Sequence, residues 1–93
     1  MEEFFSTILM NQKKQCLISI FRNGTIIKIP MANYHVTVDR ASRLISIEDV
    51  LIGISTIIKC EDWKQLNTEI LFDKSVLYDF TTKAGRYQIY IYG

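Results

Sequence analysis

A single histidine limits the catalytic chemistry open to this 93-residue chain. Every histidine-based triad or metal cluster would have to centre on His35. His35, Thr37 and Asp39 alternate along one predicted strand with Glu48 opposite, the one acid–base grouping in the sequence. An adjacent carboxylate favours the charged imidazole. An exposed cross-strand pair of this kind is worth well under ~1 kcal/mol and reads as a surface contact. Cys16 and Cys60 sit among apolar or acidic neighbours, which raise a thiol's pKa rather than activate it. Two cysteines match neither a metal spacing nor a disulfide scaffold, so both are expected reduced and buried. Phosphate loops, dinucleotide fingerprints and paired-cysteine motifs are absent from the sequence. The expectation is therefore no enzyme, no catalytic residues, no metal and no cofactor.

Two further groups suit binding rather than reaction. Arg22, Arg40, Arg43 and Arg86 all flank predicted turns. If the chain reverses at Ala32-Asn33, the tips at 22–25 and 40–43 share one end of a sheet and form a small basic rim. Eleven Lys+Arg against ten Asp+Glu leave a formal charge of +1, so no net field draws the chain to nucleic acid or anionic membrane. Nucleic-acid binding through Arg22, Arg40 and Arg43 is the alternative expectation. The favoured one is a protein partner. Tyr87, Tyr90 and Tyr92, with Tyr78 on the facing strand, are the densest aromatic group, and tyrosine is enriched at interfaces. Tyr78, Tyr90, Tyr92 and the lone Trp63 are the expected protein-binding residues. The competing reading puts Tyr87 in the core and packs Tyr90 and Tyr92 across strands. The last strand, read as a sheet edge, would invite β-augmentation or a homodimer.

The elements that position these groups follow from composition and spacing. Fifteen isoleucines, five tyrosines and five phenylalanines stand against three alanines, four glycines and one proline. β-branched and aromatic residues favour strands. Phe4, Phe5, Ile8 and Leu9 paint one face of a short helix over 2–12, with Glu2 and Glu3 at its N-terminus. Asn23-Gly24 between two apolar runs predicts a type I′ hairpin. Its two-residue loop pairs Arg22 with Thr25 and gathers Ile18, Ile20, Ile27 and Ile29 on one face. A second hairpin with a four-residue loop at 40–43 pairs Val38 with Ile45 and Val36 with Ile47, and sets His35 opposite Glu48. From Ile47 to Ile58 the apolar residues fall at helical spacing behind Ser46. The Ile, Val, Thr, Ser and Gly content is poor for a helix, and the adopted reading is strands near 51–54 and 57–60.

Residues 14–61 resemble the small bent-sheet module of the YolD-like proteins, an Sm-like barrel of low-GC bacteria and their prophages. The resemblance is carried by Ile-Ser-Ile-Phe-Arg-Asn-Gly at 18–24 and Val-Thr-Val-Asp-Arg-Ala-Ser-Arg-Leu-Ile-Ser-Ile at 36–47. Ile-Gly-Ile-Ser-Thr-Ile-Ile-Lys-Cys-Glu at 52–61 completes it. It implies a barrel and one long bent strand over 25–38, which would set the tips at 22–25 and 40–43 at opposite ends and remove the basic rim; it implies no activity. This chain has a shorter helical lead-in than that family and about thirty residues after the module.

Downstream, Trp63, Leu66, Ile70 and Leu71 predict a short second helix over 61–73. Val76, Tyr78 and Phe80, a turn at 83–85, and Tyr87, Ile89 and Ile91 predict a closing strand pair. The expected fold is α+β and β-rich: an N-terminal helix, a small antiparallel sheet or Sm-like barrel, a short second helix and a C-terminal strand pair. Residues 1–93 are expected to form one compact domain, of which roughly 60–65% of the unfolded surface is buried. The first residues lack the basic start of a signal peptide, and no apolar run reaches the ~18 residues of a membrane span. A cytoplasmic location without membrane contact is expected. A composition rich in Ile, Lys, Asn and Tyr suits a phage or mobile-element product. Such small proteins often act as inhibitors of a larger host protein, including defence nucleases. A homo-oligomeric structural subunit is the remaining alternative.

Overall fold

Amphipathic spacing opens the chain as helix α1 (Glu2–Met10) in a computed structural model that describes residues 2–60 and 66–93. Phe4, Phe5 and Ile8 are buried, as their spacing predicts. Lys13 adopts φ 73° beyond the helix. Strands β1 (Cys16–Arg22) and β2 (Thr25–Met31) then form the predicted hairpin, with Arg22 opposite Thr25 and Ile18 opposite Ile29. Asn23 and Gly24 take φ of 52° and 74°, the pair of positive values a type I′ turn requires. β3 (His35–Asp39) and β4 (Leu44–Asp49) pair in the predicted register, and β5 (Ile54–Lys59) adds to β4. The segment 48–60 is thus strand, turn, strand, with the turn at 50–53 and Gly53 at φ 67°. The first of its expected strands, 51–54, is mostly that turn.

β6 (Leu66–Ile70), β7 (Val76–Thr82) and β8 (Gly85–Ile91) complete the fold. The described residues form two antiparallel sheets, one ordered β2-β1-β8-β7-β6 and the other β3-β4-β5. They do not close into a barrel. The chain breaks between Met31 and His35 and changes sheet there, so the long bent strand of the Sm-like pattern does not form. Two further expectations are corrected. Residues 66–70 are strand, not helix: Leu66 and Ile70 at i, i+4 also share one face of a strand, and pairing with β7 decides between the two. Residues 61–65, with Trp63, lie outside the described residues. The last strand is central, not an edge, because β1 and β7 take its two sides.

The inner faces of both sheets meet α1 in one apolar cluster. Ile18, Ile20, Tyr78, Phe80 and Ile89 come from the larger sheet, and Val36, Ile45, Ile47 and Ile58 from the smaller. Phe4 is the helix's main contribution, edge-on to Tyr78 at 4.7 Å and to Phe80 at 5.7 Å between ring centroids. Tyr34 closes the helix end by donating its hydroxyl to the Ile8 carbonyl at 2.8 Å. The Val36 N–H donates to Gln12 Oε1 at 2.8 Å, so the chain after α1 caps the free side of β3.

Asp49 joins the sheets. It follows Ile45 and Ile47 on the core-facing side of β4 and is 1% exposed. Its Oδ2 accepts the N–H groups of Ala32 and Asn33 at 2.9 and 3.1 Å, and its Oδ1 accepts that of Leu51 at 3.2 Å. Desolvation pushes this carboxyl up. The backbone donors of Asn33, Ala32, Leu51 and Ile52 together outweigh it and hold the carboxyl below its ordinary value. A carboxyl depressed in the folded state contributes stability that is complete above the unfolded value, roughly pH 4, and is lost as pH falls through the lower folded value.

Asp49→Asn places an amide that donates where four donors already point, and is expected to lower the thermal midpoint at pH 7 by several degrees. Its acid-unfolding curve, followed by circular dichroism, should be shallower than wild type; an unchanged midpoint and slope would refute the clamp. Phe4→Ala is expected to cost about 3–5 kcal/mol in urea unfolding, through the cavity left under Tyr78 and Phe80.

Candidate functional site

The register of the five-stranded sheet sorts its outward side chains into rows. Pro30, Leu17, Tyr90 and Leu77 lie in line across β2, β1, β8 and β7. Lys28, Ser19, Gln88 and Asp79 form the next row. Ile26, Phe21, Arg86 and Thr81 form the third. Two rows with apolar members thus flank a polar one on the face turned from the core. A depression of about 330 Å³ runs over them, with Leu17, Phe21, Leu77 and Tyr90 in its lining.

The apolar row continues past the strand ends. Tyr92, 40% exposed, packs edge-on against Tyr90 with ring centroids 4.8 Å apart. Tyr92 in turn lines a second shallow depression of about 420 Å³ with Pro30, Met31 and Ile52. Ile52 belongs to the β4–β5 turn, whose Val50, Leu51 and Ile52 are all exposed. An apolar band therefore runs from Leu77 to the tip of the smaller sheet.

Two charges on this face, Arg86 and Asp79, are engaged by each other. Arg86 grips Asp79 with a forked pair of hydrogen bonds, Nε to Oδ1 at 3.0 Å and Nη2 to Oδ2 at 2.6 Å. Its guanidinium also lies over the Phe21 ring, 5.2 Å from the centroid. The hydrogen bond from Arg86, with a second from Gln88, holds the Asp79 carboxyl below its ordinary value. Arg22 is turned to the neighbouring hairpin, donating Nε to the Ala84 carbonyl at 2.6 Å and Nη2 to the Tyr87 hydroxyl at 3.1 Å. The β1–β2 tip is thereby stapled to the β7–β8 tip. Close approach there also explains Gly85, where a Cβ would stand 2.7 Å from the Phe21 carbonyl at φ +142°.

The expected site residues separate. Tyr90 and Tyr92 fall together on the outer face, but Tyr78 does not join them. It pairs with Ile89 on the opposite side of the sheet and is 3% exposed, beneath Phe4. Tyr87 is also core, stacked on Phe80 at 5.4 Å. Trp63 lies outside the described residues. Arg22 is on a hairpin of the larger sheet, whereas Arg40 and Arg43 flank a loop of the smaller one. Leu17, Leu77 and the 50–52 turn were not singled out from sequence. The available signal was an apolar residue at outward parity, as in Leu17 and Phe21 alternating with Ile18 and Ile20.

His35 and Glu48 are register partners in the small sheet. Among the described residues no group of three or more His, Cys, Asp or Glu is placed to hold a metal ion. No helix among them is long and apolar enough to cross a membrane.

No family model matches this chain. No curated protein and no solved structure matches it either. The likeness of residues 14–61 to the YolD-like module thus rests on the quoted residues alone.

The cysteines bear on reactivity directly. Burial, with the Asp49 charge adding to it, pushes the Cys16 thiol up to about 12, and burial does the same at Cys60. Neither should react with a thiol reagent at pH 8 in the native protein, and both should react once denaturant is added. Stoichiometric native labelling would refute this packing.

Proposed function

We propose that this chain is a small protein-binding module, without chemistry of its own, that presents the outer face of its five-stranded sheet to a larger protein. The observation that supports this most is the apolar row Pro30–Leu17–Tyr90–Leu77, extended by Tyr92, on the side turned from the core. Protein interfaces combine an apolar, aromatic centre with a polar rim whose hydrogen bonds are satisfied. Tyr90 and Tyr92 supply the centre, and the Arg86–Asp79 fork supplies part of the rim. Tyrosine is enriched at interfaces because its ring buries a large apolar area while its hydroxyl can still hydrogen-bond.

Nucleic acid ranks second. Arg86 and Arg22 each direct two donors to groups within the chain, and a net charge of +1 gives little gain from counterion release. In its sharper form the reading is that of a phage or mobile-element inhibitor acting on a host protein such as a defence nuclease. Composition supports that form. Occlusion by a flat apolar face is the mechanism it would use.

An interface tyrosine at a hot spot is worth about 2 kcal/mol or more. Tyr90→Ser and Tyr92→Ser should each weaken the partner by roughly 30-fold or more while leaving the thermal midpoint near wild type. Capture from host extract, with nucleic acid and protein both assayed in the eluate, provides the partner for that titration. Equal capture by wild type and the double variant would reject this face. Recovery of nucleic acid alone, lost on Arg40→Ala with Arg43→Ala, would favour the second reading.

A further inference from the structure

The two edges of the five-stranded sheet are not equivalent. The Tyr92 N–H donates to the Gln15 carbonyl at 3.1 Å, which sets the alternation of the ladder: odd-numbered residues of β1 bond β8, and even-numbered ones bond β2. Ile26, Lys28 and Pro30 are then the residues of β2 whose backbone faces outward. Proline brings no N–H to that edge, and lysine discourages another strand. At the opposite edge, the Leu71 N–H donates to the Ser75 carbonyl at 2.8 Å, so Asn67 and Glu69 bond β7. Leu66, Thr68 and Ile70 therefore turn their N–H and C=O groups away from the sheet, with neither proline nor lysine among them.

We propose that β6 is a homodimer edge, pairing antiparallel with β6 of a second copy about a two-fold axis at Thr68. The register is self-complementary. With Thr68 opposite its own copy, Leu66 meets Ile70 and Asn67 meets Glu69, so apolar pairs with apolar and no like charges oppose each other. The outward-facing residues of the two strands coincide at 66, 68 and 70, as an antiparallel ladder requires. The same operation on β2 sets Lys28 against Lys28 and Ile26 against the imino nitrogen of Pro30, and fails on both counts.

Exposure supports the choice of occupant. Ile70 is 77% exposed on β6, although its side chain shares the core-facing side with Leu66 and Thr68. Beneath that edge lies a cleft of about 220 Å³, lined by Phe4 and Thr7 of α1 with Leu66, Thr68, Ile70 and Tyr78. In the dimer Ile70 packs on Leu66 of the second copy, and the two clefts close against each other across the axis. The result is one continuous ten-stranded sheet with two outer faces. This dimer stands independently of what those faces bind.

Light scattering over a concentration series should show a mass rising toward twice 10.9 kDa in wild type. Thr68→Lys, which sets like charges on the axis, should stay at the monomer mass, and Ile26→Lys on the other edge should still dimerise. A wild type that is monomeric at every concentration overturns the proposal, as does a Thr68→Lys variant that dimerises like wild type. Amide exchange on the unmodified chain gives an answer that does not depend on any variant folding. The Thr68 and Ile70 amides should lose protection by roughly tenfold or more on dilution. A dimer in which those two amides exchange freely overturns it as well.

Discussion

One carboxylate holds the two halves of this fold in register. Asp49 receives backbone N–H groups from the crossover at Ala32-Asn33 and from the turn after β4, so a single side chain fixes where the larger sheet ends and how the smaller one turns. Asp39 uses the same device one hairpin earlier, accepting the N–H groups of Ala41 and Ser42 in an exposed loop. The difference is the second oxygen. At Asp49 it is committed to the crossover between the sheets, which turns an ordinary turn-forming aspartate into a buried cross-link. A buried carboxylate is tolerable only because every strong acceptor direction is filled by a backbone donor.

From that joint the two faces of the larger sheet divide their roles. The inner face packs isoleucine and aromatic rings against α1, with Ile27 and Ile70 left exposed on its two edge strands. The outer face carries apolar side chains that the chain does not itself cover. Leu17, Leu77 and Tyr90 are half-buried, and Tyr92 is exposed with its ring against Tyr90. Because side chains alternate along every strand, the two sets are built from the same four strands without competing for space. The Arg86–Asp79 fork and the Arg22 staple keep the outer rows aligned, and so give the apolar band a fixed shape.

Local chemistry was legible and neighbour order was not. Asn23-Gly24 sets its hairpin, and alternation sets the β3–β4 register, because both depend on residues within a few positions of each other. The 48–60 segment resolves as strand because β-branched residues outweigh an apolar period that both structures can share. Leu66 and Ile70 mislead for the same reason, since a four-residue spacing suits either element. The place of β8 in the sheet depends on which distant strand reaches it, and no residue of β8 records that. Tyr78 follows from this. Its parity with Val76 and Phe80 was visible, but the opposite parity of Tyr90 made one group of tyrosines into two sites. Asp49 escapes a reading of sequence: it stands at core parity after Ile45 and Ile47, but the Ala32 and Asn33 N–H groups that satisfy it come from the distant crossover.

The central position of β8 also orders assembly in time. Its hairpin with β7 is local, but Ile18 must wait for Ile89 before β1 gains its second neighbour. The β3–β5 meander needs no strand beyond residue 59, because each strand meets the one before it. The larger sheet closes only when residues near 91 arrive, and bringing such distant segments together costs chain entropy before any contact repays it. Until β8 arrives, β1 is paired with β2 alone, with Lys28 and Pro30 guarding one side and the side awaiting β8 open.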